Sequence, residues 1–177
     1  MASKSGARTP ICKLPNIEHT EQDFPLLILY RKEMVDSGGA GKWRGGLGSV
    51  REFTFLSDGG ASVEGEGHRY RPWGFLGGKE GMPAKLDLML PGSAPRPLPS
   101  KVPHMNIGKD GSFVCYGPAG GGYGDPHRRA PAKVAEDVAL GLVSASAARE
   151  IYGVALKADG SVDEAETARL RTKVAAE

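Results

Sequence analysis

Glycine and proline, and the places where they stand, constrain this chain more than any other feature. The sequence holds 26 glycines and 13 prolines among 177 residues, nearly double the usual share. They form no low-complexity tract. They punctuate short apolar stretches, as in Asp36-Ser37-Gly38-Gly39-Ala40-Gly41-Lys42-Trp43-Arg44-Gly45-Gly46-Leu47-Gly48 and Gly117-Pro118-Ala119-Gly120-Gly121-Gly122-Tyr123-Gly124-Asp125-Pro126. Glycine takes backbone conformations that other residues avoid, and proline removes an amide donor. A chain interrupted this way folds as short strands joined by tight turns and irregular backbone within one body.

Read along its length, the chain divides in three. Residues 1–23 are polar, carry Pro10 and Pro15 and show no clear periodicity; they read as an N-terminal arm that is disordered or ordered by contact with a partner. Residues 24–130 read as a β/loop domain. Phe24-Pro25-Leu26-Leu27-Ile28-Leu29-Tyr30-Arg31 has the look of a strand buried on both faces. Ser49 to Leu56 is strand-like, with Val50 out of phase with Phe53 and Phe55. Leu86 to Leu90 and Ser112 to Tyr116 are further short strands, and Pro91 to Pro103 reads as an extended connector.

Residues 131–177 change to helical spacing, as a C-terminal appendix. Pro131 suits a first helical turn, Val134, Val138 and Leu142 recur on one face, and Gly141 is a stop. Ser144 caps a second helix that ends at Gly153, and Asp163 with Glu166 forms a capping box before a third. The fold class is therefore α+β: mainly short strands and Gly/Pro-rich loops, then helices.

Composition narrows the function. A formal net charge of +2 gives no electrostatic case for nucleic acid or a membrane surface as partner. Two cysteines, Cys12 and Cys115, make no disulfide framework and read as free thiols in a reducing, cytoplasmic compartment. The apolar run at 24–30 is broken by Pro25 and far too short to span a bilayer.

Several residues are candidates for chemistry. In the segment 36–48, the amides of Gly38, Gly39 and Gly41 suit an anion-binding nest, with Arg44 to pair with phosphate or carboxylate. The plainer reading, which we favour, is a structural turn fixed by Asp36 and Arg44. The segment is not a P-loop, since no Gly-Lys-Ser/Thr closes it. Glu18 and His19 are placed to approach an active centre or to bond a partner chain. The four histidines show no ligand spacing, so no metal site is expected. Cys115 lies in an apolar run and reads as buried and inert. Tyr123 is read as packing under its loop, and Trp43 and Trp73 as anchors over bare backbone. Lys133, Glu136 and Asp137 read as a solvated helix face.

Taken together, these motifs resemble a known family. The stretch from Ile11 to Gly48, above all Pro15-Asn16-Ile17-Glu18 and the glycine segment, is similar to the C-terminal part of hydantoinase B/5-oxoprolinase proteins. The likeness runs on in family order. It passes through Arg71-Pro72-Trp73-Gly74, Gly77-Gly78, Leu98-Pro99-Ser100-Lys101 and Gly120 to Pro126, and ends with Val134-Ala135-Glu136-Asp137-Val138, Gly141-Leu142-Val143-Ser144 and Tyr152-Gly153-Val154.

The resemblance implies an actin-like-fold partner that uses ATP to phosphorylate a carbonyl or lactam oxygen. A hydantoinase B-type component then consumes the activated intermediate, by amide hydrolysis or by carboxylation of an enol phosphate. Phosphorylation turns a poor leaving oxygen into a good one, and a metal stabilises developing negative charge. Family members run to several hundred residues, and the resemblance puts their metal-binding part outside this chain.

The expectation is a small subunit of a multi-subunit enzyme, with no cofactor bound by this chain alone. ATP with Mg and a divalent metal (Zn or Mn) are expected in partner subunits. Those partners are a larger hydantoinase B-like subunit and an actin-like-fold hydantoinase A-like subunit. Glu18, Asp36 and Arg44 would line a shared site. Pro15-Asn16-Ile17-Glu18 and Leu29-Tyr30-Arg31-Lys32-Glu33 resemble the acetophenone/acetone carboxylase branch more than the hydantoinase branch. The alternatives are a subunit of an ATP-dependent hydantoinase/5-oxoprolinase-type lactam amidohydrolase, or a non-catalytic assembly module.

Overall fold

The computed structural model describes residues 16–174; Cys12 and the first part of the N-terminal arm lie outside them. After a short helix α1 (Ile17–Asp23) come the strands β1 (Leu26–Glu33), β2 (Ser49–Phe55), β3 (Gly59–Glu64), β4 (Lys85–Met89), β5 (Arg96–Pro97), β6 (Lys101–Ile107) and β7 (Ser112–Tyr116). Three helices follow, α2 (Pro131–Ala139), α3 (Ala145–Glu150) and α4 (Glu164–Val174). This is the α+β class read from the sequence.

Five strands form one sheet in the order β1-β2-β7-β4-β5, and β3 pairs with β6 in a separate two-stranded ribbon. All the pairings are antiparallel. Register places Phe53 opposite Phe113, and Phe113 opposite Leu88, so one row of large side chains crosses three strands. Phe53, Phe55 and Phe113 meet with ring centroids 5.6 to 6.3 Å apart, within the range of favourable aromatic pairs. Leu86, Leu88 and Ile107 complete this first core, with Ala61, Val63 and Met105 of the ribbon against it. The phase shift noted in β2 now has its cause: Val50 and Phe55 are both buried, but they lie on opposite faces of the strand.

Two strand readings need correction. The β1 segment is not buried on both faces. It is an edge strand whose Leu27, Leu29 and Tyr30 are exposed, with a register break between Ile28 and Tyr30. An apolar run of this length has no period that separates an edge from a sheet centre. The proline-rich stretch is also more than a connector. It contains β5, whose Pro97 stands on the outer edge of the sheet, where a missing amide is tolerated, and the first residues of β6.

The helices surround a second core. Val134, Val143, Ala147, Ala148, Tyr152 and Val154 are buried together, and Ala40 from the glycine segment joins them. The Ser144 hydroxyl accepts the Ala147 amide at 3.0 Å, and the Asp163 carboxylate accepts the Glu166 amide at 3.0 Å, as the capping signals require; each such cap stabilises its helix by about 1 kcal/mol. Gly141 and Gly153 both have positive φ, +68° and +61°, the conformation in which a chain leaves a helix most cheaply.

Between the two cores lies a layer built from main chain. Segments 37–48, 72–82 and 117–124 are stitched together by backbone hydrogen bonds. Gly39 N donates to Gly120 O at 2.9 Å, Gly120 N to Gly46 O at 2.9 Å and Lys79 N to Ala40 O at 2.7 Å. Gly122 N donates to Lys79 O and Phe75 N to Gly122 O, each at 2.9 Å. Trp43 and Tyr123 exchange two bonds, at 3.0 and 2.9 Å. Side chains cannot enter: a Cβ on Gly45 would run into the Gly120 carbonyl, and one on Gly121 into the Trp73 carbonyl.

Candidate functional site

Asp36 begins the site. Its φ is +60°, a left-handed conformation that aspartate tolerates better than most residues. From there its amide donates to Leu142 O at 3.2 Å, and its carboxylate accepts the Ser144 amide at 2.8 Å. One residue therefore clasps the turn between α2 and α3. Next to it, the buried Ser37 hydroxyl donates to Met34 O at 2.5 Å and accepts the Gly48 amide at 2.9 Å, closing the loop at its base.

Arg44 crosses to the helices. Its Nε donates to Asp137 Oδ2 at 3.4 Å and its Nη1 to Gly45 O at 2.8 Å. Arg129 reaches the same oxygen from the other side, with Nη2 at 2.8 Å and Nε at 3.1 Å, and its Nη1 donates to Lys42 O at 3.1 Å. Two guanidinium groups thus share one carboxylate, with side chains 10%, 13% and 8% exposed for Arg44, Arg129 and Asp137. Removing Asp137 would leave two buried guanidinium groups without a counter-charge. The buried Tyr152 phenol lies within the field of this group; burial pushes its pKa up to about 12, while Arg129 and Arg44 pull the other way.

The sequence-derived candidates therefore separate. Asp36 and Arg44 hold the loop, but each does so by binding the helical segment, not the other. Asp137 is not part of a solvated face: it is the buried anchor of both arginines, whereas Lys133 and Glu136 form an exposed pair at 2.6 Å. The amide of Gly39 is spent on Gly120, and the Cα atoms of Gly38 and Gly41 abut the backbone of 45–46 and Tyr123. Glu18 stands exposed on α1 and shares no hydrogen bond or ion pair with Asp36 or Arg44. On that helix it is Glu21 that binds the body, accepting the Ile28 amide at 2.7 Å.

Trp43 and Trp73 are not covered anchors. Their side chains are among the most exposed large apolar groups, at 62% and 78%. Backbone contact, not indole packing, holds their segments in place. Tyr123 is also exposed, with its ring 5.8 Å from that of Phe75. Sequence reasoning passed over Arg129 entirely. Its only signal was position, just ahead of the Pro131 helix start.

A separate cavity of about 290 Å³ opens beside the sheet, lined in part by Arg51, Phe53, His68, Lys85, Phe113 and Cys115. Both ring nitrogens of His68 are buried without a hydrogen-bond partner among the described residues. Cys115 is half-buried, and burial raises its thiol pKa, partly offset by Arg51. It is therefore not a ready thiolate at neutral pH. Among the described residues no three His, Cys, Asp or Glu side chains are grouped to hold a metal ion.

Comparison with known proteins places this arrangement. The sequence model of the hydantoinase B/oxoprolinase family matches residues 5–126. The chain belongs to the hydantoinase B/oxoprolinase family. A protein of Pseudomonas sp. (strain NS671), named as the B component of a D-/L-hydantoinase, is 40% identical over 88% of this chain, and the beta chain of the caprolactamase of Pseudomonas jessenii is 38% identical over 86%. The acetone carboxylase alpha subunit of Xanthobacter autotrophicus is 31% identical over 90%.

In three dimensions the chain matches the ATP-dependent caprolactamase of Pseudomonas jessenii with a TM-score of 0.75 at 33% identity, covering 89% of this chain and 28% of that one. It matches a nucleotide-free acetone carboxylase with a TM-score of 0.77 at 26% identity, covering 95% and 27%. The chain spans only about a quarter of the length of these relatives (26% and 27% of the first two). No helix among the described residues is long and apolar enough to cross a membrane.

Proposed function

We propose that this chain serves as part of an ATP-dependent enzyme assembly of the hydantoinase B type, which opens a cyclic amide by hydrolysis. The observation that carries this reading is the graded similarity. Identity is 40% and 38% to the hydantoinase and caprolactamase components, against 31% to the acetone carboxylase subunit. Carboxylation of a ketone through an enol phosphate is the second reading. It rests on the branch-like motifs at 15–18 and 29–33 and on the equally good fold match to acetone carboxylase.

In either reaction this chain's contribution is positional. The main-chain layer is held by backbone hydrogen bonds between its three segments, and a Cβ on Gly39, Gly45, Gly121 or Gly122 would meet the backbone of a neighbouring segment. Arg44, Asp137 and Arg129 lock that layer to the helices. Such a wall holds its shape while other residues of the assembly carry the phosphoryl and metal chemistry. A larger hydantoinase B-like subunit and an actin-like-fold, ATP-using subunit are the partners in this reading.

The test is to isolate the chain with the subunits that co-purify, then supply ATP with a hydantoin or a lactam, and separately ATP with acetone or acetophenone and labelled bicarbonate. Ring opening that requires both ATP and this chain supports the first reading. Fixation of label into a ketone supports the second. An intact complex that does neither, or that works equally well without this chain, overturns both.

A further inference from the structure

A second cavity lies where the glycine segment meets the start of α2. It has a volume of about 510 Å³ and is lined by Lys42, Trp43, Arg44, Arg128, Arg129, Ala130 and Lys133. Five of the seven are cations. The carboxylates bonded to them are Asp137, shared by Arg44 and Arg129, and Glu136, paired with Lys133. Lys42 and Arg128 have no acidic partner among the described residues. Three positive charges are thus in excess around one cavity, on a chain whose formal net charge is only +2.

The backbone adds to this field. Ala130 is the N-cap of α2 and supplies no side-chain cap, and the first turn holds no acidic residue. The start of a nine-residue helix therefore borders the same space with no acidic residue in its first turn. Its contribution is the field of the helix, since Pro131 has no amide and the Lys133 amide is bonded to Ala130 O. The two buried guanidinium groups are fixed by Asp137 and by the carbonyls of Gly45 and Lys42, so their charge is already oriented before any ligand arrives. Trp43 stands at the rim. Its backbone is pinned by two bonds to Tyr123 while its indole remains open to solvent.

We propose that this cavity binds the phosphate group of a phosphorylated small molecule, with an adjoining ring resting on Trp43. A multiply charged oxyanion matches an excess of three cations better than a single carboxylate does, and the fork of Arg128, which binds no carboxylate among the described residues, suits its geometry. The volume holds a phosphate and one ring, not a polymer. The chemistry is shared by a nucleotide and by a phosphorylated substrate. The site is distinct from the glycine amides named in the sequence reading, and it stands whichever reaction the assembly performs.

Trp43 and Trp73 are the two tryptophans of the chain, so Trp73→Phe leaves Trp43 as the reporter. The full chain carrying this exposed substitution is titrated with inorganic phosphate, ADP, phenyl phosphate and, as a control, acetate, at fixed ionic strength. Binding is read by fluorescence and, independently, by a rise in Tm. The expected result is saturable binding of the phosphates with acetate at least about tenfold weaker. The double substitution Lys42→Ala, Arg128→Ala, which breaks no ion pair, lowers phosphate affinity about tenfold or more. ADP binding tighter than phenyl phosphate assigns the site to nucleotides, and the reverse order to phosphorylated substrates. Absence of saturation, equal binding of acetate, or unchanged affinity in the double variant overturns the proposal. So does capture of polyglutamate where the phosphates fail.

Discussion

Around Phe113 the interior is filled by side chains; around Gly120 it is filled by main chain. In the first region Phe53, Phe55, Leu86 and Leu88 interdigitate, and stabilisation comes from apolar area removed from water. In the second, three segments lie carbonyl against Cα, and stabilisation comes from backbone hydrogen bonds between segments packed too closely for side chains to enter. Each ordered glycine costs about 0.5–1 kcal/mol of extra chain entropy, which the interlocking bonds offset only as a set. The contrast teaches that the two regions tolerate change differently. A side-chain core can relax around a lost methyl group, whereas a main-chain layer has nowhere to put a gained one.

The largest effect should follow from adding a single carbon to that layer. Gly45→Ala drives a Cβ into the Gly120 carbonyl, and neither segment can retreat without breaking its backbone bonds. We expect a loss of about 4 kcal/mol or more, beyond ordinary overpacking, seen as failure to fold or a collapsed urea midpoint. A substitution tolerated within ~1 kcal/mol would break the comparison.

In the side-chain core, deleting most of a ring should cost less than that added carbon does. Phe113→Ala removes the centre of the aromatic row, with an expected loss of about 3–4 kcal/mol, again from urea unfolding. If it unfolds the protein while Gly45→Ala does not, the roles assigned to the two regions are reversed.

An intermediate effect tests the helical core through pH. The folded state holds the Tyr152 proton up to about pH 12, against 10.0 for an ordinary phenol. Between those values the unfolded chain releases a proton that the folded chain keeps. The contribution is complete below pH 10 and is lost as pH rises to about 12, an effect on the order of 2–3 kcal/mol. Stability measured between pH 9 and 12 should fall less steeply in Tyr152→Phe. Identical slopes would show that the phenol is not shielded as described.

The smallest effect sharpens the meaning of crowding. Gly92 has φ +71°, but no atom stands within 4 Å of the place its Cβ would take. Gly92→Ala therefore meets only backbone strain, about 1 kcal/mol, readable as a Tm shift of a few degrees. A loss as large as that of Gly45→Ala would mean that conformation, not contact, governs the glycines of this fold.

Much of this was legible in the residues themselves. Helix starts at Pro131 and Ser144, the capping pair Asp163 and Glu166, and the strand Ser112 to Tyr116 are local events, written in short-range patterns. The edge position of β1 was not legible, because an apolar run reads alike at the margin and the centre of a sheet. Nor was the burial of Asp137. Its neighbours Lys133 and Glu136 are solvated, and only the arrival of Arg44 from 93 residues away turns an ordinary helix-face aspartate into a buried anchor.

The sequence by itself determined the α+β class, the family and the need for main chain to approach main chain, since only glycine permits that spacing. Tertiary structure alone decided which backbones meet, which arginines share a carboxylate, and that five cations converge on one cavity. Those outcomes depend on contacts between residues far apart in the chain, and a charge or a glycine carries no local mark of the distant partner it will meet.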